Sequence, residues 1–201
     1  IDNYVDLRIV KMEGWNRQMY FENTGKKWIS PSPNIADNKT AFIYQGTCLI
    51  EGTNLSEGRG TDMPFSYIGA PWLDSKQLLD KLSELNLKGV QFYRKDFTPR
   101  FIPSKSTYPK YKDQKCIGIE INISDKSQAS PLLITVNIID IISEIHPNDF
   151  KFNSNNFIDK LYGSDILRKI ILSDDDTKIL FEKWSKDQIE FKKIREPFLL
   201  Y

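Results

Sequence analysis

At 201 residues and 23.4 kDa, with 40% hydrophobic and 12% aromatic side chains, the chain can fill a real core, which argues against intrinsic disorder. Its 28 basic residues are balanced by 27 acidic ones, and a formal charge of +1 argues against nucleic-acid binding, which calls for a basic face. No apolar run approaches the roughly 20 residues that cross a bilayer, so the chain reads as soluble.

The sequence opens at Ile1 without an initiator methionine, and Ile1-Asp2-Asn3-Tyr4 has neither a basic nor an apolar leader region. This reads as a piece of a longer protein. Asp6-Leu7-Arg8-Ile9-Val10 alternates and is expected to be a short strand. WISPSPN, residues 28–34, is barred from helix by its two prolines. Residues 41–44 and 47–50 read as strand pieces on either side of Gly46, and a polar, glycine-rich loop follows. Residues 75–85 form the first clear helix, capped by Asp74 or Ser75, with Leu78, Leu79, Leu82 and Leu85 on one face.

A strand is expected at 90–93. At 116–124 the alternation is cleaner, with Ile117, Ile119, Ile121 and Ile123 on one side. Residues 131–145 are apolar enough for a buried helix that ends before Pro147. Short helical turns are expected at 157–161 and 164–172. The last helix runs from Asp174-Asp175-Asp176-Thr177 to about Arg195, with Leu180, Trp184, Phe191 and Ile194 inward. The three aspartates suit the partial positive charge of a helix start better than a metal cluster.

Strands mixed with loops come before the helices, which concentrate in the C-terminal half. The expected fold class is therefore α+β, a mixed β-sheet with flanking helices in a single domain over residues 1–201. Cys48 and Cys116 lack CxxC spacing and read as buried reduced thiols, with a disulfide open if the protein is exported. With His146 the sole histidine, a zinc site of the usual kind is not expected. His146 reads as a helix C-terminal residue rather than a catalytic base.

Chemistry concentrates in Glu51-Gly52-Thr53-Asn54-Leu55-Ser56-Glu57-Gly58-Arg59-Gly60-Thr61. Paired carboxylates are the equipment of glycoside hydrolysis, one as acid and the other as base or nucleophile. Arg59 can grip an anionic substituent with two hydrogen bonds. Thr53, Asn54 and Ser56 can hydrogen-bond hydroxyl or acetamido groups. The competing reading is structural: Glu51 and Arg59 pair to pin the loop, with Glu57 as a cap. A phosphate loop is disfavoured, because the GxxxxGK[ST] spacing and its lysine are missing. The lysine-rich stretch 95–115 is either a cationic lip over a site or, more commonly, a solvated loop.

KMEGWNRQMYF, WISPSPN, IYQGTCLIEGTNLSEGRGT, PFSYIGAPW, FTPRFIPSKS, CIGIEI and the closing EPFLLY resemble, in that order, the C-terminal half of the NamZ-type exo-β-N-acetylmuramidases. The resemblance extends from Asp6 to Tyr201, and EGTNLSEGRGT is its most distinctive part. It implies a two-domain peptidoglycan hydrolase whose Rossmann-like N-terminal domain is absent from this chain, with a saccharide cleft between the domains. It further implies hydrolysis of the β-1,4 bond of terminal N-acetylmuramic acid, without a cofactor or metal, outside the cytoplasm (periplasmic, secreted or lipid-anchored). A principal catalytic glutamate is implied in the N-terminal domain, so this chain alone is expected to be inactive.

Carried onto this sequence, the resemblance makes Glu51 and Glu57 the catalytic candidates. Asn54, Thr53 and Ser56 become substrate-binding candidates, and Arg59 acquires the lactyl carboxylate of muramic acid as a partner. Arg17 and Lys105, in matched motifs, are further candidates for that charge. The alternative is a non-catalytic glycan-binding or interaction module.

Overall fold

A computed structural model describes residues 6–173 and 175–201. The sheet has three strands, β1 (Tyr67–Ala70), β2 (Val90–Phe97) and β3 (Cys116–Ile123), in the order β1-β3-β2. Both pairings are antiparallel, with Gly69 opposite Gly118 and Phe92 opposite Ile121, so the expected mixed sheet is antiparallel throughout. Around it lie α1 (Asn38–Thr47), α2 (Ser75–Glu84), α3 (Pro131–Ile145), α4 (Phe157–Tyr162), α5 (Ile166–Ser173) and α6 (Lys178–Arg195). The fold class is α+β, as the sequence implies.

α3 is the central helix. Ile134, Ile138, Ile139 and Ile142 are buried in one cluster with Ile68 of β1, Ile119 and Ile121 of β3, and Leu78 and Leu82 of α2. Pro131 opens α3 where its missing N–H costs nothing. Asp74 caps α2 by accepting from the Lys76 and Gln77 amides. On the opposite face of the sheet, Tyr67, Phe97 and Cys116 make a small second cluster.

The structure corrects three expectations. Residues 41–50 are not strands: α1 is followed by a 3-10 turn at Cys48–Gly52. Asp37 starts α1 by accepting from the Thr40 amide at 2.7 Å. The helix packs so closely on α3 that a Cβ at Gly46 would stand 2.0 Å from the Pro131 carbonyl oxygen. Tertiary packing thus overrides the β-branched composition. Asp6–Val10 is not a strand either; it has no regular secondary structure and is exposed, with Leu7 and Val10 at 74% and 95%.

The inward stripe of α6 holds only over its start. Leu180 is fully buried, whereas Phe191 and Ile194 are more than half exposed. α6 begins at Lys178 with Thr177 as its cap, so Asp175 and Asp176 precede it, and Asp174 lies outside the described residues.

Among the described residues, both cysteines are free, Cys116 buried and Cys48 half-buried. No helix among them is long and apolar enough to cross a membrane.

Candidate functional site

Residues 52–56 run as an extra rung between β1 and the segment after α3. Ser56 exchanges both backbone hydrogen bonds with Gly69, at 2.8 and 3.1 Å. On the other side, the Asn54 amide donates to the Lys151 carbonyl and the Asn153 amide donates to the Gly52 carbonyl, each at 2.9 Å. The chain then turns through Gly60 at φ +82°, where a Cβ would lie 2.5 Å from the Arg100 carbonyl oxygen. Only glycine permits both that backbone angle and that approach.

This frame brings Glu51, Glu57 and Arg59 together. Arg59 Nη2 is 3.0 Å from Glu51 Oε2, and Arg59 Nε is 3.3 Å from Glu57 Oε1. The guanidinium carbon lies 5.0 Å from the centre of the Phe65 ring, and Tyr44 meets that ring edge-on at 4.7 Å. Glu57 is 4% exposed, while the side chains of Glu51 and Arg59 retain 22% and 30% of their exposure. Glu57 therefore sits beneath the guanidinium, and Glu51 meets it at the lip. Burial, and then the Glu51 charge, raise the Tyr44 phenol above its usual pKa and raise the Cys48 thiol likewise.

The loop's three small polar candidates are committed to the backbone. Thr53 Oγ1 donates to Ile50 O and accepts from the Leu55 amide. Ser56 Oγ accepts from the Gly58 amide. Asn54 clamps the 149–151 segment, its Nδ2 donating to Asp149 O at 2.8 Å and its Oδ1 accepting from the Lys151 amide at 2.9 Å. The two distant candidates lie on other segments. Arg17 is exposed, stacks on Trp15 and donates to Tyr201 O. The Lys105 side chain is exposed, and its carbonyl accepts from Asn34. His146 ends α3, and its Nε2 accepts from the Asp74 amide at 2.9 Å, a structural role.

Composition did not point to the residues that complete the cluster. Lys110, in the stretch read as solvated, inserts its ammonium into the loop, 3.2 Å from Glu57 Oε2 and 2.9 Å from Leu55 O. Tyr111 donates its hydroxyl to Asn54 O at 2.8 Å. Asn153 Nδ2 donates to Glu51 O at 2.8 Å. Phe65 and Tyr111 hold left-handed backbone angles of φ +66° and +54°. Such angles cost bulky residues about 1–3 kcal/mol each and concentrate at functional sites. A groove of about 490 Å³ between α2 and β2 is lined by none of these residues, so the polar cluster rather than that groove marks the candidate site.

Residues 42–201 match the family described as exo-beta-N-acetylmuramidase NamZ, C-terminal, and residues 1–39 match the corresponding N-terminal family. The peptidoglycan beta-N-acetylmuramidase NamZ of Bacillus subtilis is 36% identical over 98% of this chain and 46% of its own length. Two crystal structures of DUF1343 family proteins from Bacteroides fragilis share the fold. One has a TM-score of 0.88 at 26% identity, covering 100% of this chain and 52% of that one. The other has a TM-score of 0.62 at 32% identity, covering 86% and 44%. The chain thus spans about half the length of the relatives it matches.

Proposed function

The chain belongs to the exo-beta-N-acetylmuramidase NamZ family, and from that premise we propose that it forms one wall of a saccharide cleft in a peptidoglycan-cleaving glycoside hydrolase. The substrate is the terminal N-acetylmuramic acid of a peptidoglycan fragment, and the reaction is hydrolysis of its β-1,4 bond. The EGTNLSEGRGT loop faces the sugar, and a Rossmann-like N-terminal domain supplies the opposite wall and the principal catalytic carboxylate. This chain without that domain is inactive, and the enzyme works outside the cytoplasm.

One observation carries the reading: a partly exposed guanidinium, set on a buried carboxylate and flanked by a second carboxylate at the lip. Arg59 receives the lactyl carboxylate of muramic acid. Glu51 is the loop carboxylate placed to meet the sugar and take part in proton transfer. Glu57, 4% exposed, serves the chemistry by holding Arg59. Thr53, Asn54 and Ser56 shape the wall through the backbone.

A second reading, a glycan-binding wall that takes no part in proton transfer, is favoured by the fact that both carboxylates are already ion-paired. One assay separates the two. The chain is mixed with the N-terminal region of its family and a chromogenic N-acetylmuramide is supplied, with each half alone as control. Product from the mixture alone, lost on Glu51→Gln, supports the catalytic reading. Product that survives Glu51→Gln leaves the loop as a binding wall. An associating mixture that yields no product overturns the hydrolase assignment.

A further inference from the structure

Lys110 reaches the loop from a segment more than fifty residues away, and its ammonium makes several contacts there. It donates to Leu55 O at 2.9 Å and to Ile50 O at 3.0 Å, and lies 3.4 Å from Glu51 O. Its distance to Glu57 Oε2 is 3.2 Å. That oxygen is buried and, among the described residues, receives no well-directed hydrogen bond, so its contact with Lys110 is one of charge. The neighbouring Tyr111, in its left-handed conformation, anchors the same segment to Asn54 O.

The charges in this cluster decide what Arg59 can do. Glu51 and Glu57 contribute two negative charges, Arg59 and Lys110 two positive ones. Without Lys110, Arg59 alone would face both carboxylates, the cluster would be net negative, and an arriving anion would be repelled. With Lys110 present, the Glu57 charge is balanced, and Arg59 keeps its attraction for an anion.

We infer that Lys110 is a positioning residue that determines specificity: by neutralising Glu57 it lets Arg59 prefer a carboxylate-bearing sugar over a neutral one. This rests on the reading of the loop as a saccharide wall. It goes beyond that reading in naming the residue outside the loop that sets the loop's charge selectivity.

The test uses this chain together with the N-terminal region of its family, titrated with N-acetylmuramic acid, N-acetylglucosamine and sodium acetate. The Arg59 Nε–H signal is followed by nitrogen-edited NMR in the unaltered protein, Lys110→Met and the charge-balanced double variant Glu57→Gln/Lys110→Met. Thermal melts confirm that each variant is folded. Lys110→Met is expected to weaken the acidic sugar by about tenfold and the neutral sugar by less than about twofold, and the double variant to restore the preference. Equal weakening of both sugars, or no restoration by the double variant, makes Lys110 a loop staple and overturns the proposal.

If neither sugar binds the unaltered protein, the saccharide reading fails. Lys110 is then judged on acetate: the acetate-induced shift of Arg59 must vanish in Lys110→Met and return in the double variant, or this inference fails as well.

Discussion

The Tyr111 hydroxyl donates to the Asn54 carbonyl at 2.8 Å while accepting the Trp72 indole N–H at 3.2 Å, tying three distant segments together through one phenol. Tyr111→Phe keeps the ring and removes both bonds, leaving a donor and an acceptor unpaired in a half-buried place. The expected cost is about 1–2 kcal/mol, read as a lower midpoint in urea. Amide exchange should quicken at residues 52–57 and stay unchanged in α2. A variant as stable as the unaltered chain would mean that the phenol only fills space.

Glu57 and Glu51 share Arg59 but differ in depth, so their removal should separate stability from function. Glu57→Ala leaves Arg59 and Lys110 without their buried counterion. Because both cations keep some solvent, the loss is expected near the lower end of the buried-pair range, about 3 kcal/mol. Glu51→Ala leaves Arg59 still held by Glu57 and should cost less than about 1 kcal/mol; on the catalytic reading proposed above, it removes product formation by the mixture with the N-terminal region. Chemical denaturation of both variants checks the ordering. Equal losses would make Glu51 a loop pin like Glu57.

These comparisons follow from how unevenly the sequence discloses its structure. The leucine spacing and Asp74 cap of α2, and the run from Pro131 to Ile145 in α3, are local signals, and the structure follows them. α1 and the 3-10 turn after it are misread because Ile43 and Tyr44 in the helix, and Leu49 and Ile50 in the turn, favour a strand by composition. The helical state of α1 is decided by the Asp37 cap and by the contact of Gly46 with Pro131, which lies 85 positions further along the chain. In the site, Glu51 and Arg59 are eight residues apart on one glycine-rich loop, so their meeting is legible in the loop itself. Lys110, Tyr111 and Asn153 come from 53 to 102 positions away, without a spacing rule that marks them.

The apolar stripe of α6 should be energetically lopsided. Leu180 is 0% exposed in the main cluster, and Trp184 beside it bonds the Tyr162 hydroxyl at 2.7 Å. Ile194, on the same stripe, is 57% exposed. Leu180→Ala is expected to cost about 2–4 kcal/mol, and Ile194→Ala less than about 0.5 kcal/mol, in this chain. Urea denaturation of the two variants decides it. Comparable losses would mean that the far half of α6 packs in solution more tightly than its exposure here allows.

Alkali should unfold the protein through groups that burial keeps protonated. Burial pushes the Cys116 thiol from 9.0 up to about 12, and also raises the phenols of Tyr44, Tyr111 and Tyr162. In each case the unfolded chain releases its proton at a lower pH than the folded one. Stability is therefore intact below the unfolded pKa and falls as pH rises towards the folded value. For Cys116 alone the loss is about 1.4 kcal/mol per pH unit, beginning near pH 9. Cys116→Ala removes that component, so the penalty of the substitution at pH 7 should shrink steadily between pH 9 and 11. The tyrosine component, which starts near pH 10, should remain. A constant difference between the two proteins across that range would show that Cys116 ionises as readily in the folded chain as in the unfolded one.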